Sequence, residues 1–306
     1  MNIRLSDLID EGALAYAEES RRFYTAKQAS GGQRGPTNYE ELQDARRKLS
    51  LAVTADSRAV EQMAVAGGRR VPVRVTRPTS GGSRAVYLDI HGGGFYMDTA
   101  ARNDTRNARL AELLGVTVVS VEYRLAPEHP WPAAPDDCET AALWLLEDGY
   151  RVFGAKRILV GGASAGATLA MTTLLRLRDR GHVAPIAGGV LQFGAFDLSG
   201  TTPGGRAYAD EWFIQAYAGQ VSDRTDPDVS PLYGDLRGLP PTFILVGSLD
   251  VLLEDNLAMA ARLLASGNEV DLRVYPESMH GFTSHPVSMA TYALNDIEAW
   301  LARHIR

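Results

Sequence analysis

One cysteine stands among 306 residues, so no disulfide forms within the chain. Cys138 falls in Asp136-Asp137-Cys138-Glu139-Thr140, at the start of a helical pattern, where a partly buried structural thiol is expected. No apolar run approaches a membrane span. The opening, Met1-Asn2-Ile3-Arg4-Leu5, is mixed rather than basic and then apolar, so the expectation is a cytoplasmic protein with no membrane partner. Positive charge is not in excess either: the net charge of -6 gives no electrostatic reason to expect nucleic acid. The chain has no G-x-x-x-x-G-K-[ST] for phosphate and no G-x-G-x-x-G after a suitable strand for a nicotinamide dinucleotide. Its six histidines show no H-E-x-x-H spacing, and no metal is expected. What is present, 45% hydrophobic and 22% charged residues, suits a globular chain able to bury a substantial core.

Residues 1 to about 50 have helical periodicity: Leu5, Leu8, Ile9, Ala13 and Tyr16, then Phe23 and Tyr24, and again Tyr39 to Leu49. Ser30-Gly31-Gly32-Gln33-Arg34-Gly35-Pro36 breaks the pattern. These helices precede the first strand pattern, so they either cap a sheet completed later or cover its outer face. Ala59 to Ala66 and Val71 to Thr76 alternate across Gly67-Gly68-Arg69-Arg70 and predict a hairpin. From Ala85 onward the strands are apolar on both faces and alternate with helical stretches. Strands are expected at Ala85–Ile90, Thr117–Tyr123, Arg157–Val160, Gly189–Phe193, Thr242–Val246 and Val270–Tyr275. Helices are expected at Arg106–Leu114, Asp136–Glu147, Ala165–Leu177, Leu252–Leu264 and Val287–Ala302. This alternation predicts an α/β fold with one mostly parallel sheet, helices on both faces, and ligand-binding loops at the carboxyl ends of its strands. Residues 196–233 interrupt it. That segment is rich in Gly, Thr, Asp and Pro and holds the aromatics Tyr208, Trp212, Phe213 and Tyr217, which either pack on the first helices or line a pocket.

The chemistry gathers where strands end. Gly162-Ala163-Ser164-Ala165-Gly166 joins a strand to a helix, the setting of a nucleophile elbow, although Ser164 as a plain helix cap is the simpler alternative for the pentapeptide alone. Asp250 follows the strand of Ile244, and His280 follows the last strand, in the chain order serine, acid, histidine. His280 would take the Ser164 proton, and Asp250 would fix the tautomer of the imidazole. Glu254 and Asp255 are rival acids one turn into the next helix. After the first core strand, His91-Gly92-Gly93-Gly94 offers backbone amides of Gly92 and Gly93 which, with that of Ala165, suit an oxyanion.

At this point the chain resembles the α/β-hydrolase esterases related to mammalian hormone-sensitive lipase. The resemblance lies in His91-Gly92-Gly93-Gly94-Phe95, in Tyr123-Arg124-Leu125-Ala126-Pro127-Glu128 followed by Pro130 and Pro132-Ala133, in the elbow at Ser164, and in Asp250 and His280-Gly281-Phe282. It covers residues from about 70 to the end. It implies an α/β-hydrolase fold with a central sheet of about eight strands and a helical cap. The cap would be residues 1–50 and 196–233, and the catalytic domain residues 51–195 and 234–306. It also implies hydrolysis of short- to medium-chain carboxylic esters through an acyl-serine, no cofactor, a small-molecule ester as partner, and the dimerisation seen in several members. Ser164, Asp250 and His280 would be the triad, and Gly92, Gly93 and Ala165 the oxyanion donors. Phe95, Asp98, Trp212 and Phe213 are the candidates for the substrate pocket.

Two positions depart from the family pattern. Ala163 replaces the usual elbow aspartate, which is not the triad acid, and Asp98 replaces a frequent glycine. An inward Asp98 would disfavour anionic substrates; a solvated or capping role is the alternative. His91 is structural in the family. Glu128, His129 and Asp136 read as local supports, and His182, His285 and His304 as surface or helix-end residues. The same triad serves amide, lactone and carbamate hydrolysis. A non-catalytic ligand-binding protein, such as a plant hormone receptor of this family that lacks the histidine, is disfavoured by His280.

Overall fold

Eight strands form one sheet in the order β1-β2-β4-β3-β5-β6-β7-β8. The computed structural model describes residues 4–29, 35–52 and 58–305. Most of the predicted break at Ser30–Pro36 lies outside the described residues. Three helices come first, α1 (Glu11–Leu14), α2 (Ala17–Ala29) and α3 (Tyr39–Ala52). Strands β1 (Val60–Ala66) and β2 (Arg69–Thr76) then pair antiparallel. Their turn is Gly67-Gly68 alone, tighter than the sequence pattern suggests. Both glycines have positive φ, which lets a two-residue turn follow the strand twist, and Arg69 already pairs with Ala66.

The parallel core consists of β3 (Val86–Ile90), β4 (Thr117–Val121), β5 (Ile158–Ala163), β6 (Ile186–Gln192), β7 (Thr242–Gly247) and β8 (Val270–Tyr275). β2 joins it antiparallel to β4. β3 and β4 are buried along their whole length, as strands covered on both faces must be. Alternate residues serve opposite cores. Val86, Leu88, Ile90, Ile158 and Val160 face one side, with α5 (Ala133–Phe153), α6 (Ala165–Asp179) and α9 (Leu253–Ala265). Tyr87 and Leu159 face the other, with α4 (Asp104–Leu114) and α10 (Ser288–His304). Cys138 on α5 is wholly rather than partly buried, and burial pushes its thiol pKa up. The segment between β6 and β7 carries α7 (Pro203–Arg206) and α8 (Trp212–Ala218).

The strand order places the site. From β3 the chain crosses to β4 on one side and later returns to β5 on the other, so the connections diverge between β3 and β5. Such a divergence leaves a crevice at the carboxyl ends of the two strands. Ile90 pairs with Gly162, so the loop after β3 and the turn after β5 leave the sheet side by side.

Candidate active site

Ser164 occupies the bend between β5 and α6 at φ 55° and ψ -124°, a conformation a non-glycine residue holds only when its surroundings impose it. The surroundings are close backbone contacts. A Cβ on Gly162 would lie 2.3 Å from the Gly166 carbonyl oxygen. A Cβ on Gly92 would lie 2.8 Å from the Ala163 carbonyl oxygen, so strand, bend and the glycine loop after β3 all depend on missing side chains. The helix-cap alternative does not hold, because the Ser164 side chain makes no capping bond. Its Oγ instead lies 2.8 Å from His280 Nε2.

His280 comes from the loop after β8, and its Nδ1 lies 3.1 Å from both carboxylate oxygens of Asp250. A proton on Nδ1 satisfies that contact and leaves the Nε2 lone pair facing the serine. The Asp250 side chain is fully buried, whereas that of His280 is 38% exposed on the cavity side. The acid and histidine loops are tied together: Leu249 N–H donates to the Ser278 carbonyl at 3.0 Å, and Glu277 N–H to Ser248 Oγ at 2.9 Å. Phe193, at the end of β6, packs edge-on against the imidazole at 5.2 Å. The rival acid Asp255 is engaged elsewhere. Its buried carboxylate accepts from the amides of Phe196 and Asp197 and from Tyr208 Oη. Desolvation pushes the Asp255 pKa up despite these bonds.

The loop after β3 is fixed on the side away from the cavity. Tyr123 Oη donates to the carbonyls of His91 and Gly92 at 3.0 and 3.2 Å, and the Tyr123 ring stacks on His91 at 4.1 Å. His91 Nδ1 contacts the Gly92 carbonyl at 2.8 Å. Among the described residues, nothing accepts a hydrogen bond from the amides of Gly92, Gly93 or Ala165.

A cavity of about 530 Å³ opens over these groups. Phe95, Asp98 and Phe213 line it, together with Tyr96, Ala163 and Tyr208. Phe95 is buried flat against Tyr217 at 4.0 Å. The Asp98 carboxylate accepts from Thr99 N–H at 3.1 Å and lies 3.8 Å from Arg102, so its charge is partly balanced at the wall. Trp212 does not line this cavity. It faces an adjoining hollow with Thr37, Arg206 and Asp210, its ring 5.7 Å from that of Tyr96. Adjacent helical residues point about 100° apart, and on α8 the inward direction belongs to Phe213.

Several residues have closer partners than their sequence contexts suggest. His285 is not a surface residue: it is half-buried, with Tyr24 Oη on Nδ1 and Lys27 Nζ on Nε2, both at 2.9 Å. Burial, reinforced by the charges of Lys27 and His280, lowers its pKa. Arg21 of the same helix pairs with Glu277, so α2 is docked on the loop that carries His280. Glu128 is bound by Arg46 of α3, and Asp136 by Arg176 and Arg69. His129 and His182 are exposed, and His304 stacks on Trp300 at the end of α10. No group of three or more His, Cys, Asp or Glu side chains is placed to hold a metal among the described residues, and none of their helices is long and apolar enough to cross a membrane.

A buried carboxylate, an imidazole and a strained serine at the strand ends of a β-sheet of this order define a serine hydrolase of the α/β class. A family model described as the alpha/beta hydrolase fold matches residues 87–284. The chain is 33% identical over 229 residues to an ethyl acetate hydrolase of Pseudomonas putida, covering 70% of this chain and 72% of that one. It superposes on a hyperthermophilic esterase from the archaeon Pyrobaculum calidifontis with a TM-score of 0.79 at 29% identity, over 92% and 96% of the two chains. A hormone-sensitive lipase from a metagenome library gives 0.77 at 28% identity, over 95% and 98%. The chain belongs to the α/β-hydrolase esterases related to hormone-sensitive lipase.

Proposed function

We propose that the protein is a serine carboxylesterase for short- to medium-chain, uncharged esters, with Ser164 as nucleophile, His280 as general base and acid, and Asp250 as orienting acid. The observation that carries this reading is the unbroken contact from Ser164 Oγ through His280 to Asp250, beside three amides that donate to nothing among the described residues. Ser164 Oγ attacks the ester carbonyl carbon as its proton passes to His280 Nε2. The charge that forms on the carbonyl oxygen is received by the N–H groups of Gly92, Gly93 and Ala165. The imidazolium, held by Asp250, then protonates the departing alkoxide, leaving an acyl-serine. Water repeats the sequence: His280 takes its proton, the hydroxyl attacks the acyl carbon, and Ser164 leaves reprotonated.

Residues 1–50 and 196–233 are taken as a cap over a catalytic domain of 51–195 and 234–306. Gly35 and Pro36 from the first segment, and Ala207, Tyr208, Glu211 and Phe213 from the second, contribute cavity wall. A cavity of about 530 Å³ accommodates a small ester more readily than a triglyceride. Ethyl acetate hydrolysis by the Pseudomonas putida relative points the same way. Cytoplasmic residence, as in many bacterial members of the family, and dimerisation, as in several, complete the reading; light scattering tests the second.

A panel of p-nitrophenyl esters from acetate to dodecanoate, with Ser164→Ala as control, tests the mechanism. Turnover should be fastest at the short end and fall at least about 10⁴-fold in the variant. A fluorophosphonate should add one mass increment to the unaltered protein and none to Ser164→Ala. Undiminished hydrolysis by the alanine variant would refute the mechanism, and a preference for dodecanoate would refute the substrate size.

A further inference from the structure

The guanidinium of Arg46, within α3, crosses from the N-terminal helices to the loops that flank the oxyanion amides. Its Nε donates to the Tyr96 carbonyl at 2.9 Å and Nη2 to the Ala126 carbonyl at 2.7 Å. Nη1 and Nη2 also hold the two oxygens of Glu128 at 2.7 and 3.0 Å. Four of the five N–H donors of a guanidinium are thereby used. Tyr39 and Gln43, on the same face of α3, also donate to Glu128, at 3.1 and 3.2 Å. Buried Leu42 anchors the helix in the core.

The carbonyls that receive these bonds belong to the oxyanion loop and its neighbour. Tyr96 N–H and Met97 N–H close a turn onto the Gly93 carbonyl at 3.3 and 2.9 Å. Ala126 N–H donates to the Phe95 carbonyl at 3.0 Å, so Arg46 binds both sides of the place where the two loops meet. Tyr123 secures the Gly92 end of the loop; Arg46 secures the other end, from outside the matched family region of 87–284.

We propose that Arg46 is a positioning residue for the oxyanion amides: clamped to Glu128, it holds the Tyr96 and Ala126 carbonyls and so fixes the Gly92-Gly93 turn at its working distance from Ser164. Arg46 touches no reacting atom, and the proposal rests on the esterase reading above. Its consequence is specific. The amides contact the oxyanion of the tetrahedral intermediate more strongly than the ground-state carbonyl, so a loosened loop lowers kcat and leaves KM nearly unchanged.

The test compares Arg46→Met, Arg46→Lys and the unaltered protein on p-nitrophenyl acetate, with rates divided by the number of sites titrated with a fluorophosphonate. The second readout is inhibition by a trifluoromethyl ketone, whose serine adduct places an oxyanion in the same position. Arg46→Met should lose about tenfold or more in kcat per titrated site with KM within about twofold. Ketone affinity should weaken in parallel, and Arg46→Lys, which keeps charge but not the fork, should recover only part of both. A purely structural Arg46 would lower the number of titratable sites and the Tm while leaving kcat per site and ketone affinity unchanged, and that result would overturn the proposal. An unaltered protein that neither labels at Ser164 nor hydrolyses the ester would overturn the esterase reading, and the proposal with it.

Discussion

Gly166 lies against Ile90 so closely that a Cβ on the glycine would fall 2.1 Å from the Ile90 carbonyl oxygen, and 2.5 Å from that of His91. The first turn of α6 therefore rests on the end of β3, where the loop of Gly92 and Gly93 begins.

A methyl group at that contact meets backbone atoms with no free rotation. Gly166→Ala should destabilise the fold by about 2–4 kcal/mol, the range of severe overpacking, and move the helix away from the strand. Urea unfolding measures the first effect and esterase activity of the folded fraction the second. Gly181→Ala, where a Cβ has nothing within 4 Å but φ is +75°, is the control for backbone strain without collision. A Gly166→Ala protein no less stable than that control would contradict the packing account.

Asp250 and Asp255 lie five positions apart, are both buried, and serve different ends. Asp250 faces the imidazole, so Asp250→Asn should lower kcat by about 10³–10⁴-fold at neutral pH, by favouring the wrong tautomer, with little loss of stability. Asp255 accepts from Phe196, Asp197 and Tyr208, so it organises the start of the segment between β6 and β7. Asp255→Ala would leave those donors unpaired and should cost about 2–4 kcal/mol of stability. Initial rates per titrated site together with denaturation midpoints separate the two effects. Comparable losses of rate per site in both variants would count against Asp250 as the acid.

Phe213 and Trp212 offer a contrast between neighbours. Phe213 forms part of the cavity wall, and its ring contacts Tyr96 at 6.1 Å. Phe213→Ala should enlarge the pocket and move the preferred acyl chain from acetate toward hexanoate or longer. Trp212→Ala should leave the chain-length profile as it was. A p-nitrophenyl ester series on both variants gives the answer, and a shift with Trp212 alone would reverse the assignment.

The proposed triad is legible in the sequence because each member lies in the turn or loop after a strand, and parallel strands bring their carboxyl ends to one edge whatever the separation along the chain. Ser164, Asp250 and His280 need only that rule and their order. Side-chain direction on a seven-residue helix is not legible in the same way: two adjacent aromatics on α8 differ by one rotation step, and the packing of the segment decides which is inward. Arg46 gives still less signal. Its pattern is that of an arginine on an amphipathic helix, and its partner Glu128 lies 82 positions away. His285 is similar, since only the docking of α2 brings partners to both of its ring nitrogens.

The clamp between Arg46 and Glu128 carries a pH signature. Burial alone would raise the Glu128 pKa, but the hydrogen bonds and charge of Arg46, helped by Tyr39, outweigh it and bring the group down to about 2 from 4.5. An acid whose folded pKa is depressed contributes stability above its unfolded pKa and loses it as pH falls through the folded value. The contribution of Glu128 is therefore complete above about pH 4.5, fades below it, and is gone near pH 2. Glu128→Gln keeps the shape without the charge, so the Tm difference between unaltered protein and variant should be constant from pH 5 to 7 and shrink steadily as the solution is acidified toward pH 2. Because the carboxylate is partly solvent-exposed, added salt should narrow the plateau difference. A Tm difference that holds its size at low pH would mean that the charge of Glu128 does not bind α3 to the loops.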